Sequence, residues 1–335
     1  MPEVALICAF FNRPHLVRRT LMGLYRQKIK DVKFHIIDDG SSDETASKID
    51  ETIEELNDPR FILKRYDHNV GLTKGLIREI QEVDCDFVAI HDAGDYSDPR
   101  RLSMQANRLH HDPNISVVGC HYINSVEDQD FNFLRRPRAD QKTKQDIIKD
   151  STFTHGEVMF RLDSYHKVGG YRQAFKYSQD NDLWLRMIDV GKFCTIEQVL
   201  YCRSVQMTGI SYNSDSFAKQ SAFYILGKKI ASGEISEVVL DLLESGKDIF
   251  DILPKHDPQV QKIITRGAIR AAVFGRPDLA LQILDNHVVG QENDLTRICL
   301  GLMGGRAGKL ALRNYYRLKG ANRKYDLVQM MIADT

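Results

Sequence analysis

The chain has 335 residues, of which 42% are hydrophobic and 27% charged, values typical of a globular protein with enough length for two domains. Lys plus Arg and Asp plus Glu both number 46, so the net charge is zero and excludes a global attraction to nucleic acid. No stretch approaches the roughly 20 apolar residues of a membrane span, and the N-terminus lacks the pattern of a signal peptide. The six cysteines form no C-x-x-C pair, which favours free thiols in a reducing cytoplasm.

Short apolar runs alternate with amphipathic segments over the first 124 residues. The predicted strands cover 4–10, 33–37, 61–63, 87–90 and 116–120, and the predicted helices cover 15–26, 43–56, 72–80 and 99–110. Strands separated by helices of about 10–15 residues predict an α/β fold with a doubly wound sheet. Ligands of such sheets bind beyond the carboxyl ends of the strands.

The pattern of predicted elements changes in the second half of the chain. Residues 125–150 are polar and charged and predict a mobile connection, short strands and helices return over 158–203, and only helical patterns follow residue 212. We therefore expect a domain over 1–212 and a helical region over 213–335. A weak internal echo at a spacing of about 30–40 residues in the tail is consistent either with stacked helical hairpins or with a plain helical bundle.

The run that follows the second predicted strand, 38–43, is rich in Asp, Gly and Ser. These residues suit a turn and a helix N-cap, and that interpretation explains the run without any function. A carboxylate at Asp39 would also accept the N3–H of a uracil or thymine ring and reject cytosine, whose N3 has no proton. Both interpretations remain open from the residues alone.

Two further carboxylates, Asp92 and Asp95, follow the fourth predicted strand. Two acids placed together cost free energy unless a cation joins them, and hard oxygen ligands beside a nucleotide suit Mg²⁺ or Mn²⁺. A helix start at 97–99 explains Asp98 but not these two acids.

A third acidic run, 178–187, opens an amphipathic helix in which either Asp180 or Asp182 is a simple cap or a general base. The loop 69–74 enters a helix, and its backbone N–H groups with Lys74 either meet a phosphate or form a surface turn.

Taken together, these runs resemble glycosyltransferase family 2, the large inverting family with the GT-A fold. The resemblance covers about residues 4–211. It is carried by the segments 4–13, 36–43, 69–72, 91–95, 168–172 and 179–184.

The resemblance implies a nucleotide-sugar donor, with UDP as first choice and dTDP or GDP open, a Mn²⁺ or Mg²⁺ cofactor, and a glycan or lipid-linked acceptor. It implies Asp180 as the catalytic base and Asp95 with Asp92 as metal ligands. The residues that it places at the nucleotide are Ala9, Phe11, Arg13, Asp39, Lys74, His91 and Asp92. Those that it places at the sugar or acceptor are Gln179, Trp184 and Gly170.

Three positions depart from the family pattern. Gly94 stands where a third acid is common, Gln179 stands where Glu often precedes the base, and Gln206 stands where a histidine is often found. These departures affect the expected metal ligands rather than the class of enzyme. The Gln-x-x-Arg-Trp signature of processive members is absent, which favours single additions.

Other functions fit less well. A dinucleotide-dependent oxidoreductase, a P-loop enzyme or a sugar nucleotidyltransferase needs a glycine-rich first loop, whereas residues 10–15 contain no glycine. A catalytically weak homologue that binds a nucleotide sugar or glycan as a scaffold remains an alternative, supported by Gly94 and Gln179.

The tail carries a local charge excess. Residues 295–325 contain eight Lys or Arg and no Asp or Glu. Such a segment is either a solvated basic helix face or a peripheral contact with anionic lipid on the inner face of a membrane. Acceptor specificity is expected from 125–150, the region around His155 and the tail.

Overall fold

The protein is described from a computed structural model, which covers residues 3–126, 131–140, 142–205, 213–274, 276–289 and 326–333. Gln206, Cys299 and the basic segment 295–325 lie outside these ranges, so the predictions made for them stay predictions. The five cysteines that the structure describes are all free thiols, as expected. Within the same ranges, no helix is both long and apolar enough to cross a membrane.

The strands of the described residues are β1 Val4–Phe10, β2 Val32–Asp38, β3 Phe61–Arg65, β4 Phe87–Ile90, β5 Tyr96–Ser97, β6 Ile115–Val126, β7 Phe131–Arg135, β8 Met159–Arg161 and β9 Lys192–Ser204. The helices up to residue 187 are α1 Pro14–Tyr25, α2 Thr45–Leu56, α3 Leu72–Glu82, α4 Arg101–His111, α5 Lys144–Lys149, α6 Leu162–Lys167 and α7 Gln179–Met187. The later helices are α8 Ser214–Ala231, α9 Val239–Glu244, α10 Ile249–Ile252, α11 Pro258–Val273, α12 Pro277–His287 and α13 Asp326–Ala333.

The strand order in the sheet is β3-β2-β1-β4-β8-β6-β9-β5, with β7 paired to β6. In the first half, β1 lies between β2 and β4, and β1 to β4 are all parallel. The apolar run of β1 is buried because helices cover both faces of a parallel sheet. This half confirms the predicted α/β pattern and brings the ends of β1, β2 and β4 to one edge.

The second half of the sheet is mixed. Strand β8 lies between β4 and β6 and runs antiparallel to both, whereas β6 and β9 are parallel. The two-residue strand β5 pairs antiparallel with the end of β9 through Tyr96 and Cys202. The end of β9 therefore lies next to the residues that follow β4, although more than a hundred positions separate them in the chain.

The mobile connection predicted over 125–150 is wrong in part, because its described residues contain strand β7 and helix α5. Helix α5 begins with a capping box, in which the Thr143 hydroxyl accepts from the Asp146 N–H and the Asp146 carboxylate accepts from the Thr143 N–H. The polar composition of this segment gave no sign of the two short elements, because backbone hydrogen bonds can form a strand or a helix whose side chains are exposed.

The chain divides into two compact units. Unit 1 comprises residues 1–125, 134–204 and 324–335, and unit 2 comprises 126–133 and 205–323. Within unit 2, helices α8, α11 and α12 pack on one another. Within unit 1, α13 packs on β5 and β9. The boundary at 212/213 and the hairpin repeat remain predictions.

Candidate active site

The loops that follow β1 and β2 are tied together at the edge of the sheet. Asn12 donates its backbone N–H to Ser41 Oγ at 3.1 Å, and its side-chain oxygen accepts from the N–H of Ser42 at 2.9 Å. The N–H of Arg13 donates to Thr45 Oγ1 at 2.7 Å. Asn12 has a φ of 51°, a left-handed conformation that asparagine adopts more readily than most residues. The two loops therefore form one connected surface beyond the strand ends.

Asp39 joins this surface to the loop that enters α3. Its carboxylate oxygens accept from the N–H of Val70 at 2.8 Å and of Gly71 at 3.0 Å. Burial raises the pKa of Asp39, although the two N–H donors act in the opposite direction. Gly40 has a φ of 70°, and a Cβ there would lie 2.3 Å from the backbone of His68, so the approach of the two loops requires glycine.

The other residues predicted at the nucleotide lie around the same edge. Phe11, just beyond β1, is 39% exposed, and Ala9 and Arg13 are half-buried. Lys74 is exposed in the first turn of α3, which begins directly after the loop held by Asp39. An exposed aromatic ring can contact a nucleotide base, and a buried carboxylate can accept a ring N–H. A helix N-terminus can bind a phosphate.

The acidic loop after β4 is a tight turn. The N–H of Asp95 donates to the carbonyl of Asp92 at 3.1 Å, and Gly94, with a φ of 95°, donates its N–H to Thr20 Oγ1 at 2.8 Å. The left-handed φ explains the glycine, since most other residues would be strained there. The turn is hydrogen-bonded to α1, and its two acidic side chains point in different directions.

Asp95 points into the protein and is 2% exposed. One carboxylate oxygen accepts from the Tyr201 hydroxyl at 2.6 Å, and the other accepts from the N–H of Ser204 at 2.8 Å. Burial and the negative charge of Asp92 raise the pKa of Asp95 to about 8. Asp95 thus fixes the end of β9 to the acidic loop.

Asp92 faces outward, with a side chain that is 40% exposed. One of its oxygens lies 3.6 Å from His155 Nδ1, and its backbone N–H donates to the Tyr201 hydroxyl at 3.2 Å. Burial acts to raise the pKa of Asp92, but His155 and then Arg203 outweigh it and lower the pKa. Gly156 makes this packing possible, since a Cβ there would lie 2.1 Å from Tyr201 Oη.

His91, predicted at the nucleotide, is buried beneath the loop. Its Nε2 lies 3.2 Å from the carbonyl of Asp95, and its Nδ1 lies 3.2 Å from Ser97 Oγ. Burial, followed by the charge of Arg101, lowers its pKa to about 3. In this arrangement His91 is a neutral support of the acidic loop and has 1% of its surface exposed.

Helix α7 brings a third carboxylate to the site. Asp182 is buried and forms ion pairs with Arg172 and Arg186, and these pairs give it a structural role. Asp180 is half-buried at the start of the helix, and its carboxylate accepts no hydrogen bond from the described residues. Burial acts to lower the pKa of His155, but Asp92 and then Asp180 outweigh it and raise the pKa. Asp180 therefore lies close enough to the acidic loop to act on the same histidine.

The residues predicted at the sugar or acceptor are less accessible. Gln179 is 7% exposed, and Trp184 is 1% exposed and packs edge-on against Phe160. Gly170 has a φ of 67°, and a Cβ there would meet the ring of Tyr165 at 2.6 Å. Trp184 and Gly170 therefore act in the core of unit 1 in this conformation, and their roles at a sugar stay predictions.

Sequence reasoning missed four residues that shape the site. His155 links Asp92 to the Tyr171 hydroxyl, which lies 2.8 Å from its Nε2, and Tyr201, Arg203 and Ser204 reach the acidic loop from β9. The sequence around these residues gave little indication of a role. An aromatic residue such as Tyr201 in a strand is typical of a core position, and the region of His155 was expected only to affect acceptor specificity.

Comparison with known proteins identifies the chain. Residues 5–169 match the profile described as Glycosyl transferase family 2. This chain belongs to glycosyltransferase family 2. It is a glycosyltransferase with the GT-A fold, as the resemblance implied.

Relatives in the family differ in length. The putative glycosyltransferase EpsE of Bacillus subtilis is 26% identical over 234 residues, which cover 68% of this chain and 80% of EpsE. Chondroitin synthase of Pasteurella multocida is 20% identical over 282 residues, which cover 82% of this chain but 29% of the synthase. The chain therefore spans less than a third of the length of that synthase.

Solved structures of other glycosyltransferases share the fold. The mannosyltransferase PcManGT from Pyrobaculum calidifontis, in complex with GDP-Man and Mn²⁺, has a TM-score of 0.54 at 15% identity and covers 99% of this chain and 86% of its own. S. aureus TarS 1-349 in complex with UDP-GlcNAc has a TM-score of 0.55 at 13% identity and covers 92% of each chain. At these identities the likeness shows the fold alone.

Asp92 and Asp95 are the candidate ligands for the metal ion implied by the family resemblance. Within the described ranges, no group of three or more His, Cys, Asp or Glu side chains is placed to hold a metal ion. Both oxygens of Asp95 already accept hydrogen bonds in the interior, so Asp92 is the acid that faces solvent. Each oxygen of Asp95 keeps a second lone pair beside its hydrogen bond, so Asp95 together with Asp92 would hold a divalent ion.

Proposed function

We propose that this family 2 glycosyltransferase moves a sugar from a UDP-sugar to a hydroxyl of a glycan or lipid-linked acceptor, with inversion at the anomeric carbon. The observation that carries the proposal is the position of Asp180, a half-buried carboxylate beside His155 and the acidic loop. A base must be free to take a proton, and the absence of a hydrogen bond to the Asp180 carboxylate from the described residues supports this role.

The proposed step is a single displacement. The acceptor oxygen attacks the anomeric carbon while its proton passes to the carboxylate of Asp180. The bond between that carbon and the diphosphate oxygen breaks, and its electron pair stays on the diphosphate. Asp180 gains one proton, the acceptor gains one sugar, and the nucleoside diphosphate leaves.

The donor side of the proposal rests on Asp39 and Phe11. The Asp39 carboxylate accepts two backbone N–H groups, and each oxygen keeps a second lone pair that can accept a uracil N3–H. TarS binds UDP-GlcNAc, and a Pasteurella relative is named chondroitin synthase, which favours a UDP-sugar and a glycan acceptor. A Mn²⁺ or Mg²⁺ ion held by Asp92 and Asp95 would offset the negative charge that builds on the departing diphosphate.

The test is a panel of UDP-, dTDP- and GDP-sugars assayed for binding and for donor hydrolysis with wild type and Asp180→Asn. We expect one donor to bind both proteins, with turnover reduced at least about a hundredfold in the variant, the magnitude of general base catalysis. Asp189→Asn is the matched control, since this exposed acid pairs with Lys144 away from the acidic loop. Tight donor binding without turnover by wild type, even with acceptor extracts, would favour the scaffold alternative.

A further inference from the structure

A cavity that the proposed reaction does not use lies on the mixed half of the sheet. Its volume is about 420 Å³, within the range of roughly 300–1,000 Å³ that is usual for small-molecule sites. Residues of β6, β7 and β9 and of the segment after β7 line it, namely His121, Leu134, Arg136, Arg138, Glu197 and Val199. All of them belong to unit 1, the compact unit that also contains the acidic loop.

An irregularity in the pairing of β6 with β9 lies at this cavity. The register of β9 advances by three residues, from Ile196 to Val199, while β6 advances by one residue to His121. Two residues of β9, Glu197 and Gln198, are therefore left without a partner in the ladder. Such a bulge bends a strand and changes the direction of its side chains. The bulge thus accounts for a glutamate beside a buried histidine.

The segment that follows β7 brings two arginines to the cavity. The Ala139 N–H donates to Thr195 Oγ1 at 3.0 Å, and the Thr195 N–H donates to the Asp140 carboxylate at 3.2 Å, so the segment is held against β9. Arg136 and Arg138 flank a proline, whose ring restricts the backbone between them. Both arginines are exposed and form no ion pair with the described residues. The cavity therefore has two guanidinium groups available to an anion.

His121 is the buried member of the cavity lining, with 8% of its surface exposed. Its ring makes no hydrogen bond with the residues that the structure describes. Burial lowers the pKa of His121. The charge of Glu197 opposes this effect, whereas the charges of Arg136 and Arg138 add to it. A neutral imidazole has one donor and one acceptor, which suits a hydroxyl group of a ligand.

The cavity lies toward the same edge of the sheet as the acidic loop. Strands β4 and β6 both run antiparallel to β8, and Ala89 and Val118 both pair with Met159, so these two residues lie at the same level. Asp92 follows Ala89 by three positions, and His121 follows Val118 by three positions. Neighbouring strands are about 4.8 Å apart, so β4 and β6 are separated by roughly 10 Å. A glycan whose end lies at the acidic loop can therefore extend to the cavity.

The lining has the chemistry of an acidic sugar. A guanidinium donates parallel N–H bonds to a carboxylate or a phosphate, and Arg136 and Arg138 supply two such groups. Leu134 and Val199 offer apolar surface to the C–H groups of a sugar ring. The Glu197 carboxylate accepts hydrogen bonds from hydroxyl groups but repels a second acid. An anion that also carries hydroxyl groups satisfies all of these side chains.

We propose that this cavity binds an acidic group, a carboxylate or a phosphate, of the glycan acceptor, a short distance along the glycan from the hydroxyl that receives the sugar. The arginines at 136 and 138 bind the acid, and the other lining residues contact the sugar that carries it. The proposal rests on the proposed function, because it names the chemical class of the acceptor in that reaction.

The first experiment compares probes that differ in charge. Tetragalacturonate, its uncharged methyl ester and a phosphodiester oligomer of glycerol are each titrated into the full chain at about 0.15 M salt. We expect one or both anionic probes to bind roughly tenfold or more tightly than the ester, the effect of a hydrogen bond to a charged group. The anion that binds identifies the acid as carboxylate or phosphate. Equal affinities for the three probes, or no binding of any of them, would overturn the proposal.

Variants then test whether the arginines of the cavity are responsible. We expect the double variant Arg136→Ala with Arg138→Ala to lose roughly tenfold to a hundredfold in affinity for the anionic probe and to bind UDP as wild type does. The matched control is Arg18→Ala with Arg100→Ala, which removes two exposed arginines that pair with Glu55 and Asp98. Its net charge changes equally, and it should bind the probe as wild type does. Equal losses in the two double variants would overturn the proposal.

Donor hydrolysis separates this proposal from the proposed function, because it requires no acceptor acid. A wild-type protein that binds and hydrolyses a donor but prefers neither anionic probe would overturn the cavity's role and leave the proposed function standing. A preference for an anionic probe that depends on the two arginines would support the cavity. Failure to bind or hydrolyse any UDP-, dTDP- or GDP-sugar would instead count against the proposed function itself.

Discussion

The two sides of the active site hold their buried carboxylates in different ways. On the side proposed for the nucleotide, Asp39 accepts two backbone N–H groups from a loop about thirty residues away. On the acidic side, Asp95 accepts a tyrosine hydroxyl and a backbone N–H from β9, more than a hundred residues away. The first arrangement is built from consecutive βα units, whereas the second needs the mixed half of the sheet. We therefore expect changes on the acidic side to disturb catalysis and changes on the nucleotide side to disturb binding.

The largest contrast is expected between Asp95→Asn and Asp39→Asn. In Asp95→Asn an NH₂ group replaces one of the two accepting oxygens, so the end of β9 loses one of the hydrogen bonds that fix its position. We expect kcat to fall roughly tenfold to a hundredfold. In Asp39→Asn one of the two loop contacts is lost, and we expect UDP affinity to fall by about tenfold with kcat nearly unchanged. Steady-state kinetics and calorimetry on both variants check the split, and an equal effect on kcat would contradict it.

A second test concerns the close packing around Tyr201. In Gly156→Ala the new methyl group would overlap Tyr201 Oη, which also contacts Asp92 and Asp95. We expect a loss of about 1–3 kcal/mol in the free energy of unfolding, the usual cost of overpacking. Thermal or denaturant unfolding measures it. Gly75→Ala in α3 is the control, because its Cβ would lie at an ordinary 3.6 Å from the Tyr66 ring and should leave stability equal or slightly higher.

A third test concerns helix α13, which packs on strands β5 and β9. Leu327 and Val328 pack with Tyr96, Ile123 and Cys202 in one buried cluster. We expect Leu327→Ala to cost about 2–3 kcal/mol of stability and to weaken turnover, since Tyr96 follows Asp95 directly.

Exposed Gln329 provides the control for that helix. Gln329→Ala should change the unfolding midpoint little. An unchanged midpoint in Leu327→Ala as well would show that α13 is not docked on β5 and β9.

The smallest expected effect is a change in pH dependence. Burial raises the pKa of Glu157 to about 8, against an ordinary value of 4.5. The folded state therefore holds a proton that the unfolded state releases, and stability falls as pH rises from about 4.5 to 8. Glu157→Gln removes this titration. We expect melting temperatures measured from pH 5 to 8 to fall less in the variant, and parallel curves would contradict the assignment.

The sequence alone determined the fold class and predicted which loops would bind the nucleotide. Alternating apolar runs and amphipathic helices predicted the order β1-α1-β2-α2-β3-α3-β4, and the parallel sheet follows from that order. Asp39, Asp92, Asp95 and Asp180 were all selected because each follows a strand or opens a helix in a recognisable local run.

The tertiary structure decided which way each acid faces and what lies beside it. His155, Tyr201, Arg203 and Ser204 reach the acidic loop because β8 and β9 join the sheet through antiparallel pairing and a return of the chain. No local sequence pattern predicts contacts between residues so far apart in the chain. Whether a carboxylate binds a metal ion or an arginine depends on such contacts, since burial and neighbouring charge together set the state of the acid.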